Sequence, residues 1–422
     1  MSTYAVIGGQ WGDEGKAKFV DDLAGKLNAD AVVRYHGGSN SGHTLRINGQ
    51  QIVLHNLSVA VARQGIWSIG GPYVVYNPAI TAEEISIADK YGAYVLLDPN
   101  AFLILPIHEQ IDQGRERAAG DTAIGTTGQG IGPTYEDVTA RRGVRLGDLQ
   151  SADLVRAALE KRGFYAERSA VARHLGQQPK TLDEAVAWAM QYADALVPRL
   201  GDTRKFVHKM LQLNKTILVE GAQGMMLSLV SGTWPYCTSS ICGPGAIVES
   251  FGIHEMEIYG VAKPYGTRVG GGPFPTEFNK ERSEWLQEMA GEYGATTGRP
   301  RRCGRLDLVA LRYACRMGNI KKLMFTKMDL VPFLGVLEIC VAYEHDGRRI
   351  DPLTSLTADL LERVTPIYET LPAWEEDLSL CKDPNESPHR AKQFLGFVEE
   401  YLGIPVIAMG VGPNRGQTLW LD

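Results

Sequence analysis

A glycine-rich segment near the start of the chain has residue types and spacing that suit phosphate binding. The apolar stretch at residues 4–7 runs into GGQWGDEGK at residues 8–16, and a stretch with helical periodicity follows. Backbone amides of such a loop, the start of the helix and the ammonium group of Lys16 would attract a phosphate together. It is not a Walker A loop, because Gln10 and Ala17 stand where that motif needs glycine and a hydroxyl. It predicts a phosphate-binding loop similar to a P-loop, with a tight turn that binds nothing as the alternative.

Two side chains in the glycine-rich loops are candidates for acid–base chemistry. Asp13 lies inside the first loop, where a carboxylate can bind Mg²⁺, accept a proton, or do both in turn. His43 closes a second loop at residues 37–43, which follows the apolar stretch at residues 31–35. A histidine can donate a hydrogen bond to a transferring phosphoryl group at neutral pH. A single loop histidine is more often structural, so this interpretation depends on the neighbouring phosphate loop.

The sequence TKMD at residues 326–329 follows a third apolar stretch, at residues 323–325. The Asp329 carboxylate can accept hydrogen bonds from both N1–H and N2–H₂ of guanine, while the Lys327 stem packs along the base. Adenine lacks this pair of donors. The pattern indicates guanine recognition, and an aspartate that caps a helix is the alternative.

Two further loops combine hydroxyl residues, glycine and arginine. One is ATTGRPRR at residues 295–302, and the other is GTTG at residues 125–128, followed by Arg141 and Arg142. Guanidinium groups in such loops can bind a carboxylate or a phosphate through two hydrogen bonds. A solvated basic surface is the alternative, but arginines beside TTG in an acidic protein favour anionic substrates.

The apolar pattern predicts the elements that must position these loops. Strands are predicted at residues 4–7, 31–35, 216–219, 323–325 and 406–408. Helices are predicted at residues 18–27, 152–162, 182–200, 306–317 and 389–402. Strands followed by loops are typical of an open α/β sheet, whose ligands bind beyond the carboxyl ends of the strands. We expect an α/β fold with a mostly parallel central sheet, built as a single large domain with insertions over residues 1–422.

The composition excludes several classes of protein. Of 422 residues, 43 are Lys or Arg and 49 are Asp or Glu, which gives a formal net charge of −6. This charge provides no field that would hold a nucleic acid or an anionic membrane, so the expected partners are small molecules. No apolar stretch approaches the ~20 residues of a membrane-spanning helix. The six cysteines lack metal-site spacing, so we expect reduced thiols in a cytoplasmic protein.

Taken together, the motifs resemble one known family. GGQWGDEGK, SNSGHT, GTTGQGIGP, VEGAQG, GATTGRPRRCGRLD and TKMD occur in the order found in the adenylosuccinate synthetase family. The resemblance implies a homodimeric, Mg²⁺-dependent ligase of purine nucleotide biosynthesis that joins L-aspartate to IMP and hydrolyses GTP. The implied intermediate is 6-phosphoryl-IMP, and the implied products are adenylosuccinate, GDP and phosphate.

The resemblance also implies which residues carry out catalysis. Asp13 would remove the N1 proton of IMP and, with the backbone carbonyl of Gly42, would hold Mg²⁺. His43 would act as the acid that stabilises charge on the transferring phosphoryl group. Arg141 would reach into the IMP site of the partner subunit. The implied catalytic residues are Asp13, Lys16, His43 and Gln223.

The substrate sites implied by the resemblance draw on residues from the whole chain. The implied GTP-binding residues are Gly12, Glu14, Gly15, Lys16, Ala17, Lys18, Gly42, Thr44, Arg301, Lys327, Asp329, Gly410 and Gly412. The implied IMP-binding residues are Asn40, Thr127, Arg141, Gln223, Thr238 and Arg299. The implied aspartate-binding residues are Ala295, Thr296, Thr297, Arg299 and Arg301.

Some positions depart from the family pattern. They are Ala17 in place of a glycine, Gln129 and Pro300 in place of arginines, and Ser228 and Val230 in place of acidic residues. These departures keep two alternatives open: an enzyme that uses GMP or dGMP in place of IMP, and a nucleotide-binding regulator without catalysis. Retention of Asp13 favours IMP as the substrate. The residues whose retention favours catalysis as the function are Asp13, Lys16, His43, Arg141, Gln223, Arg299 and Asp329.

Replacing Asp329 with asparagine tests the assignment of guanine binding. Asp329→Asn keeps the size of the side chain but loses the charge that pairs with the two guanine donors, so GTP should bind about 10- to 100-fold more weakly. ATP binding should change far less. Both affinities are measured by titration calorimetry, and equal losses for the two nucleotides would contradict the assignment.

Overall fold

Strands and helices alternate along most of the chain, as the apolar pattern predicts. The computed structural model describes residues 3–294 and 297–421. Its strands are β1 Thr3–Gly8, β2 Ala31–Arg34, β3 His43–Ile47, β4 Gln50–Leu54, β5 Trp67–Gly70, β6 Val75–Tyr76, β7 Tyr94–Leu97, β8 Phe102–Leu103, β9 Ile217–Glu220, β10 Glu257–Ala262, β11 Tyr265–Arg268, β12 Arg302–Asp307, β13 Lys322–Phe325, β14 Val336–His345, β15 Arg348–Arg349, β16 Thr365–Pro372, β17 Val406–Gly410 and β18 Thr418–Trp420. Its α-helices are α1 Lys16–Lys26, α2 Pro78–Tyr91, α3 Pro106–Ala119, α4 Ile131–Thr139, α5 Ala152–Glu160, α6 Phe164–His174, α7 Leu182–Met190, α8 Ala193–Leu196, α9 Thr203–Gln212, α10 Gly245–Phe251, α11 Lys280–Ala290, α12 Leu308–Met317, α13 Ala358–Leu361 and α14 His389–Leu402.

In the described residues, nine strands form the central sheet in the order β18-β17-β13-β10-β1-β9-β2-β5-β7. Neighbouring strands are parallel along this order, except for the antiparallel pair β17 and β18. The five predicted strand segments all lie in this sheet, as β1, β2, β9, β13 and β17. The prediction of an α/β fold with a mostly parallel central sheet is confirmed.

The sheet is buried on both faces, which explains why its strands are apolar without alternation. Along β1 the side chains of Ala5 and Ile7 pack into one core cluster, whereas Val6 packs into another on the opposite face. Successive side chains of a strand point to opposite faces, so a strand covered on both sides is apolar throughout. Helix α1 contributes Phe19 and Val20 to the cluster that contains Val6.

The carboxyl ends of the parallel strands meet at one edge, and the predicted loops follow them there. The phosphate loop leaves β1 at Gly8, and the loop that leads to His43 leaves β2 after Arg34. Glu220, the last residue of β9, lies in register with Arg34. Residues 326–329 follow β13 at the same edge. The fold therefore collects the candidate loops where open α/β sheets bind their ligands.

A smaller sheet fixes one end of the arginine loop. Strand β12 pairs antiparallel with β11 and parallel with β14, and β14 pairs antiparallel with β15 and β16. Because β12 begins at Arg302 and α11 ends at Ala290, the segment between them is anchored at both ends. The loop predicted to bind anions is thus held by regular structure.

The helix predicted at residues 182–200 is wrong as a single helix. Helix α7 ends at Met190, α8 is a separate short helix, and Pro198 lies in the 3₁₀ turn that follows. Proline has no N–H for a helical hydrogen bond, so a helix could not continue through Pro198 to residue 200. The helix predicted at residues 152–162 also ends early, at Glu160, and Arg162 has a left-handed φ of 56°.

The helix predicted at residues 306–317 begins two residues later. Leu306 and Asp307 belong to β12, and the Asp307 carboxylate caps α12 by accepting a hydrogen bond from Ala310 N at 3.0 Å. The helices predicted at residues 18–27 and 389–402 are confirmed as α1 and α14. None of the helices in the described ranges is both long and apolar enough to cross a membrane.

A buried aspartate, Asp137, joins helices α3, α4 and α6. Its carboxylate accepts hydrogen bonds from Arg168 Nη2 at 2.7 Å, Arg142 Nε at 2.7 Å and His108 Nε2 at 3.2 Å. Burial alone would raise the pKa of this carboxyl, but the three donors outweigh it and lower the pKa to about 2. The ionised carboxylate therefore stabilises the fold, and through Arg142 it fixes the turn that carries Arg141.

Asp137→Asn should lower the free energy of unfolding by about 2–4 kcal/mol near neutral pH, because Arg168 and Arg142 lose their buried partner and keep only the exposed carboxylates of Glu136 and Glu167. The folded pKa of about 2 lies below the unfolded value of 3.8, so this stabilisation is present above the unfolded value and is lost as the pH falls through the folded value. Urea unfolding measures it. The control is Asp89→Asn, whose partner Arg199 is surface-exposed and whose loss should cost below about 1 kcal/mol. Equal losses in both variants would contradict a central role for Asp137.

Candidate active site

A cavity of about 710 Å³ is lined by loops that follow the carboxyl ends of the central strands. Its volume lies within the range typical of small-molecule sites. Residues from both ends of the chain, from Trp11 to Pro413, contribute to its wall. The predicted site residues found in the wall are Gly12, Asp13, Gly15, Lys16, Ala17, Lys18, Asn40, Gly42, His43, Thr44, Thr127, Gln223, Thr238, Thr297, Arg299, Arg301, Lys327, Asp329 and Gly412.

Other predicted site residues lie elsewhere. Glu14 belongs to the phosphate loop, but its side chain is fully buried and does not line the cavity. Gly410 ends β17, where a Cβ atom would come within 3.3 Å of Lys18 Cε. Arg141 is exposed, in a left-handed turn with φ of 60° at the end of α4. Ala295 and Thr296 lie outside the described residues.

Glu14 gives the phosphate loop its shape. Its carboxylate accepts hydrogen bonds from Gln10 N and Gly12 N, both at 3.0 Å, and from Lys16 Nζ at 2.7 Å. The loop lies close to residues after β9, because a Cβ atom on Gly224 would come within 2.3 Å of Gln10 O. Glu14 therefore holds the loop closed and keeps the Lys16 ammonium at the cavity wall.

Asp13, the candidate base and metal ligand, forms an ion pair with Arg301 across the cavity. Arg301 Nε lies 2.7 Å from Asp13 Oδ2, and the Asp13 side chain is 34% exposed. Both residues line the cavity, so this ion pair lies at its wall. Asp13 has a left-handed φ of 58° that projects it from the turn. The sequence predicted both residues in the site but not their pairing.

His43 begins β3 and is held by Glu220, which ends β9. The Nδ1 atom of the ring contacts Glu220 Oε1, and Glu220 Oε2 accepts a hydrogen bond from Val59 N at 2.9 Å. Burial lowers the pKa of His43, and Arg34 lowers it further, although Glu220 opposes them. Burial would raise the pKa of Glu220, but His43 and Arg34 outweigh it and lower that pKa. We therefore assign a neutral ring that donates Nδ1–H to an ionised Glu220, which leaves Nε2 for a ligand.

The candidate guanine site lies in a 3₁₀ helix, Met328–Leu334, which follows β13. Burial raises the pKa of Asp329, while Lys327 and Lys18 oppose the shift. The Lys327 ammonium donates to Ala290 O at 2.8 Å, so the end of α11 holds this side chain. The N-cap of the helix is Lys327, and the alternative of Asp329 as a helix cap is wrong.

The predicted IMP side of the cavity is a chain of hydrogen-bonded polar side chains. Gln223 Nε2 donates to Asn40 Oδ1 at 3.2 Å, and Asn40 Nδ2 donates to Thr238 Oγ1 at 3.4 Å. Arg299 Nη2 donates to the carbonyls of Gly125 and Thr126, both at 2.9 Å. Arg299 therefore connects its own loop to the loop at residues 125–128, and both loops contribute to one wall of the cavity.

Two carboxylates that hold these residues were not predicted from the sequence. Glu220 ends the strand before GAQG, a signal that could have indicated a site residue. Glu292 is fully buried, and its carboxylate accepts hydrogen bonds from Arg301 Nη1 at 2.5 Å, Tyr265 OH at 2.6 Å and Lys263 Nζ at 3.1 Å. No sequence signal places Lys263 beside it, because only the tertiary fold brings them together.

Most of the departures from the family pattern lie away from the cavity. Among the described residues of this set, Ala17 alone contributes to the wall. Ser228 is buried, and its hydroxyl accepts a hydrogen bond from Cys242 N at 3.1 Å. Val230 is 79% exposed, and Pro300 is also exposed. These substitutions leave the cavity wall largely intact.

The adenylosuccinate synthetase family model matches residues 5–419. This chain belongs to the adenylosuccinate synthetase family. The adenylosuccinate synthetase of Myxococcus xanthus strain DK1622 is 41% identical to it over 434 residues, which cover 100% of this chain and 99% of that protein. The adenylosuccinate synthetase of Xanthomonas oryzae pv. oryzae strain PXO99A is 41% identical over 432 residues, which cover 99% and 98% of the two chains.

Solved structures agree with this family assignment. A fully ligated adenylosuccinate synthetase from Plasmodium falciparum superposes with a TM-score of 0.93 at 33% identity, with both chains covered completely. A cyanophage S-2L succinoaminodeoxyadenylate synthetase bound to dGMP and dATP has a TM-score of 0.63 at 17% identity, over 99% of this chain and 95% of that one. The second likeness concerns the fold alone. The prediction of a GTP-dependent ligase of the adenylosuccinate synthetase type is confirmed and is better supported than the alternative that uses GMP or dGMP.

Glu220→Gln should lower kcat by about 100-fold and change each KM by less than about threefold. Glutamine still accepts the Nδ1–H hydrogen bond of His43 but no longer balances the charge of a protonated ring. Steady-state phosphate release measures both constants. The control is Glu257→Gln, which removes a carboxylate that pairs with Lys322 outside the cavity and should leave both constants unchanged. An unaltered kcat in Glu220→Gln would contradict the role of the pair.

Proposed function

We propose that this chain joins L-aspartate to IMP in two steps driven by GTP, with Asp13 and His43 as catalytic residues. The observation that carries this proposal is that Asp13, His43 and Asp329 line one cavity. They supply the three properties that the reaction needs: a base, a group that stabilises the transferring phosphoryl, and recognition of guanine.

In the first proposed step, Asp13 takes the N1 proton of IMP while O6 attacks the γ-phosphorus of GTP. The bond from O6 to phosphorus forms, the bond to the leaving oxygen of GDP breaks, and the product is 6-phosphoryl-IMP. An anionic phosphoryl group beside His43 would favour a protonated ring, whose charge Glu220 would balance. His43 would then donate Nε2–H to the transferring group, and Lys16 would add a second positive charge.

In the second proposed step, the amine of aspartate attacks C6 of 6-phosphoryl-IMP. The C6–N bond forms, the C6–O bond breaks and the amine gives up one proton, so phosphate leaves with that proton and adenylosuccinate remains. Phosphate is a far better leaving group than hydroxide, which is why a phosphoryl transfer precedes formation of the C–N bond. We assign the aspartate carboxylates to Thr297, Arg299 and Arg301, together with Ala295 and Thr296.

We assign the GTP phosphates to the phosphate loop and the guanine base to the loop at residues 327–329. The start of α1 supports this orientation, because its first backbone N–H groups attract anions. IMP is assigned to the hydrogen-bonded wall that contains Gln223, Asn40, Thr238 and Arg299, and to Thr127. GTP and IMP would then meet between Asp13 and His43.

We also propose Mg²⁺ as the cofactor, held by the carboxylate of Asp13 and the backbone carbonyl of Gly42. Both residues line the cavity, and oxygen atoms are the ligands that Mg²⁺ prefers. The described residues contain no cluster of three or more His, Cys, Asp or Glu side chains that could hold a metal. A cation with few protein ligands fits this wall, because Mg²⁺ takes its remaining ligands from phosphates and water. When bound, it would neutralise charge on the phosphates of GTP.

A homodimer with Arg141 acting in the partner subunit is part of the proposal. Arg141 is exposed and lies outside the cavity wall of its own chain, while the Asp137 network holds its turn in place. An arginine fixed in this way is suited to reach a neighbouring site. We further propose that residues 1–422 act as one domain, because the cavity wall draws on nearly the whole chain. A cytoplasmic location is supported by six free cysteines.

A substrate panel tests the proposed function directly. IMP, dIMP, GMP and dGMP are each incubated with L-aspartate, Mg²⁺ and either GTP or ATP, and both phosphate and the coupled purine product are measured. We expect adenylosuccinate from IMP with GTP as the preferred pair. A preference for GMP or dGMP would overturn IMP as the substrate, and a lack of product with every pair would support a regulatory protein.

Asp13→Asn should lower kcat by at least about 100-fold while GTP still binds, because the amide cannot accept the N1 proton. Asparagine tolerates the left-handed backbone at this position. The matched control is Asp346→Asn, an exposed position with a similar left-handed φ of 51°, which should retain full activity. Substantial turnover by Asp13→Asn would exclude its role as the base.

A further inference from the structure

Glu292 and Arg301 face each other at the neck of a hairpin that carries the proposed aspartate loop. Arg301 N donates to Glu292 O at 2.9 Å, and Gly294 N donates to Arg299 O at 2.8 Å. Tyr293 and Pro300 form an antiparallel bridge between these two pairs. The backbone thus fixes the distance between the two residues at the base of the loop.

The Glu292 carboxylate binds Arg301 a second time, through the side chains. One oxygen, Oε2, accepts from Arg301 Nη1 at 2.5 Å, and the other, Oε1, accepts from Tyr265 OH and Lys263 Nζ. Glu292 is fully buried, and burial would raise its pKa, but Lys263, Arg301 and Lys327 outweigh burial and lower the pKa to about 2. The carboxylate is therefore ionised near neutral pH, and it binds the guanidinium group from inside the protein.

Arg301 has two carboxylate partners whose contacts differ in kind. The contact with Glu292 is a hydrogen bond to a fully buried carboxylate, whereas the contact with Asp13 is an ion pair with a carboxylate at the cavity wall that is 34% exposed. A contact with a fully buried carboxylate is harder to give up than one with a carboxylate that faces a cavity, because a buried charge without its partner is strongly destabilising. Arg301 can therefore exchange Asp13 for another anion while it remains bound to Glu292.

We propose that Glu292 is a positioning residue, which holds the Arg301 guanidinium in place while Asp13 is replaced by a substrate carboxylate or phosphate. This inference rests on the proposed function, in which Asp13 must become free to accept a proton. Without Glu292, release of Asp13 would leave Arg301 without a fixed counter-charge, and the side chain would follow whichever anion is nearest. With Glu292 in place, the Arg301 guanidinium first forms an ion pair with Asp13 and then binds the substrate anion.

Glu292→Gln tests this role with a substitution of nearly equal size. Glutamine lacks the charge that aligns Arg301, so kcat/KM for aspartate and the affinity for a non-hydrolysable GTP analogue should each fall about 10- to 100-fold. Affinity for IMP alone, measured by titration calorimetry, should change by less than about threefold, because Arg301 is not assigned to IMP. An equal loss for all three ligands would indicate general damage and overturn the proposal.

Tyr265→Phe is the matched control for loosening of the buried cluster. It removes the hydrogen bond to Oε1 of the same carboxylate but leaves the contact with Arg301. We expect a loss of thermal stability without the selective loss in aspartate and GTP kinetics. Identical kinetic effects of Tyr265→Phe and Glu292→Gln would show that Glu292 acts only through packing. If Glu292→Gln does not fold, Glu292→Asp keeps the buried charge, shortens the reach to Arg301 and should show the same selectivity.

A double-variant cycle separates action through Arg301 from an independent effect. In an Arg301→Gln background, Glu292→Gln should lower kcat/KM for aspartate by no more than about threefold further, because its target is already absent. Additive losses would overturn the proposal. A crystal structure of Glu292→Gln without ligands supplies a readout that does not need ligase activity. Displacement of the Arg301 guanidinium away from residue 292 and toward Asp13 supports positioning, and an unmoved Arg301 refutes it. Because this crystal structure does not depend on ligase activity, a failure of this inference can be told apart from a failure of the substrate panel.

Discussion

Burial of carboxylates at the edge of the sheet is the constraint on which the site depends. A carboxylate removed from water is strongly destabilising unless cations or N–H groups surround it. Glu14, Glu220 and Glu292 are each fully buried, and each is paired with a residue of the cavity wall. Their partners are Lys16, His43 and Arg301 respectively. The contacts that offset the free-energy cost of burying these carboxylates also orient the residues of the cavity wall.

This arrangement explains how an acidic protein can bind highly charged substrates. The formal net charge is −6, yet the substrates of this ligase family carry phosphates and carboxylates. Buried carboxylates fix the positive groups before the substrates arrive, so little reorganisation is needed when charge moves during phosphoryl transfer. Asp13 is the exception, because its carboxylate is partly exposed and its contact with Arg301 lies at the cavity wall.

Strands, helices and side-chain contacts differ in how far the sequence predicts them. The five predicted strands are strands of the central sheet because burial on both faces leaves a continuous apolar pattern. The helix at residues 182–200 was predicted wrongly, since helical periodicity continues past Met190 although the backbone turns there. Glu292 was missed, because its partner Lys263 is distant in sequence and both residue types occur on ordinary surfaces.

Fold class, family and the glycine-rich loops that line the cavity could be inferred from the sequence alone, because glycine runs after apolar strands are local patterns. Which charged groups meet depends on the folded arrangement of the chain. The pairing of Asp13 with Arg301, of His43 with Glu220, and of Arg301 with Glu292 depends on strands and loops that approach one another in space. Electrostatic energy depends on distance between groups rather than on their order along the chain, so the pattern of residue types could not reveal it.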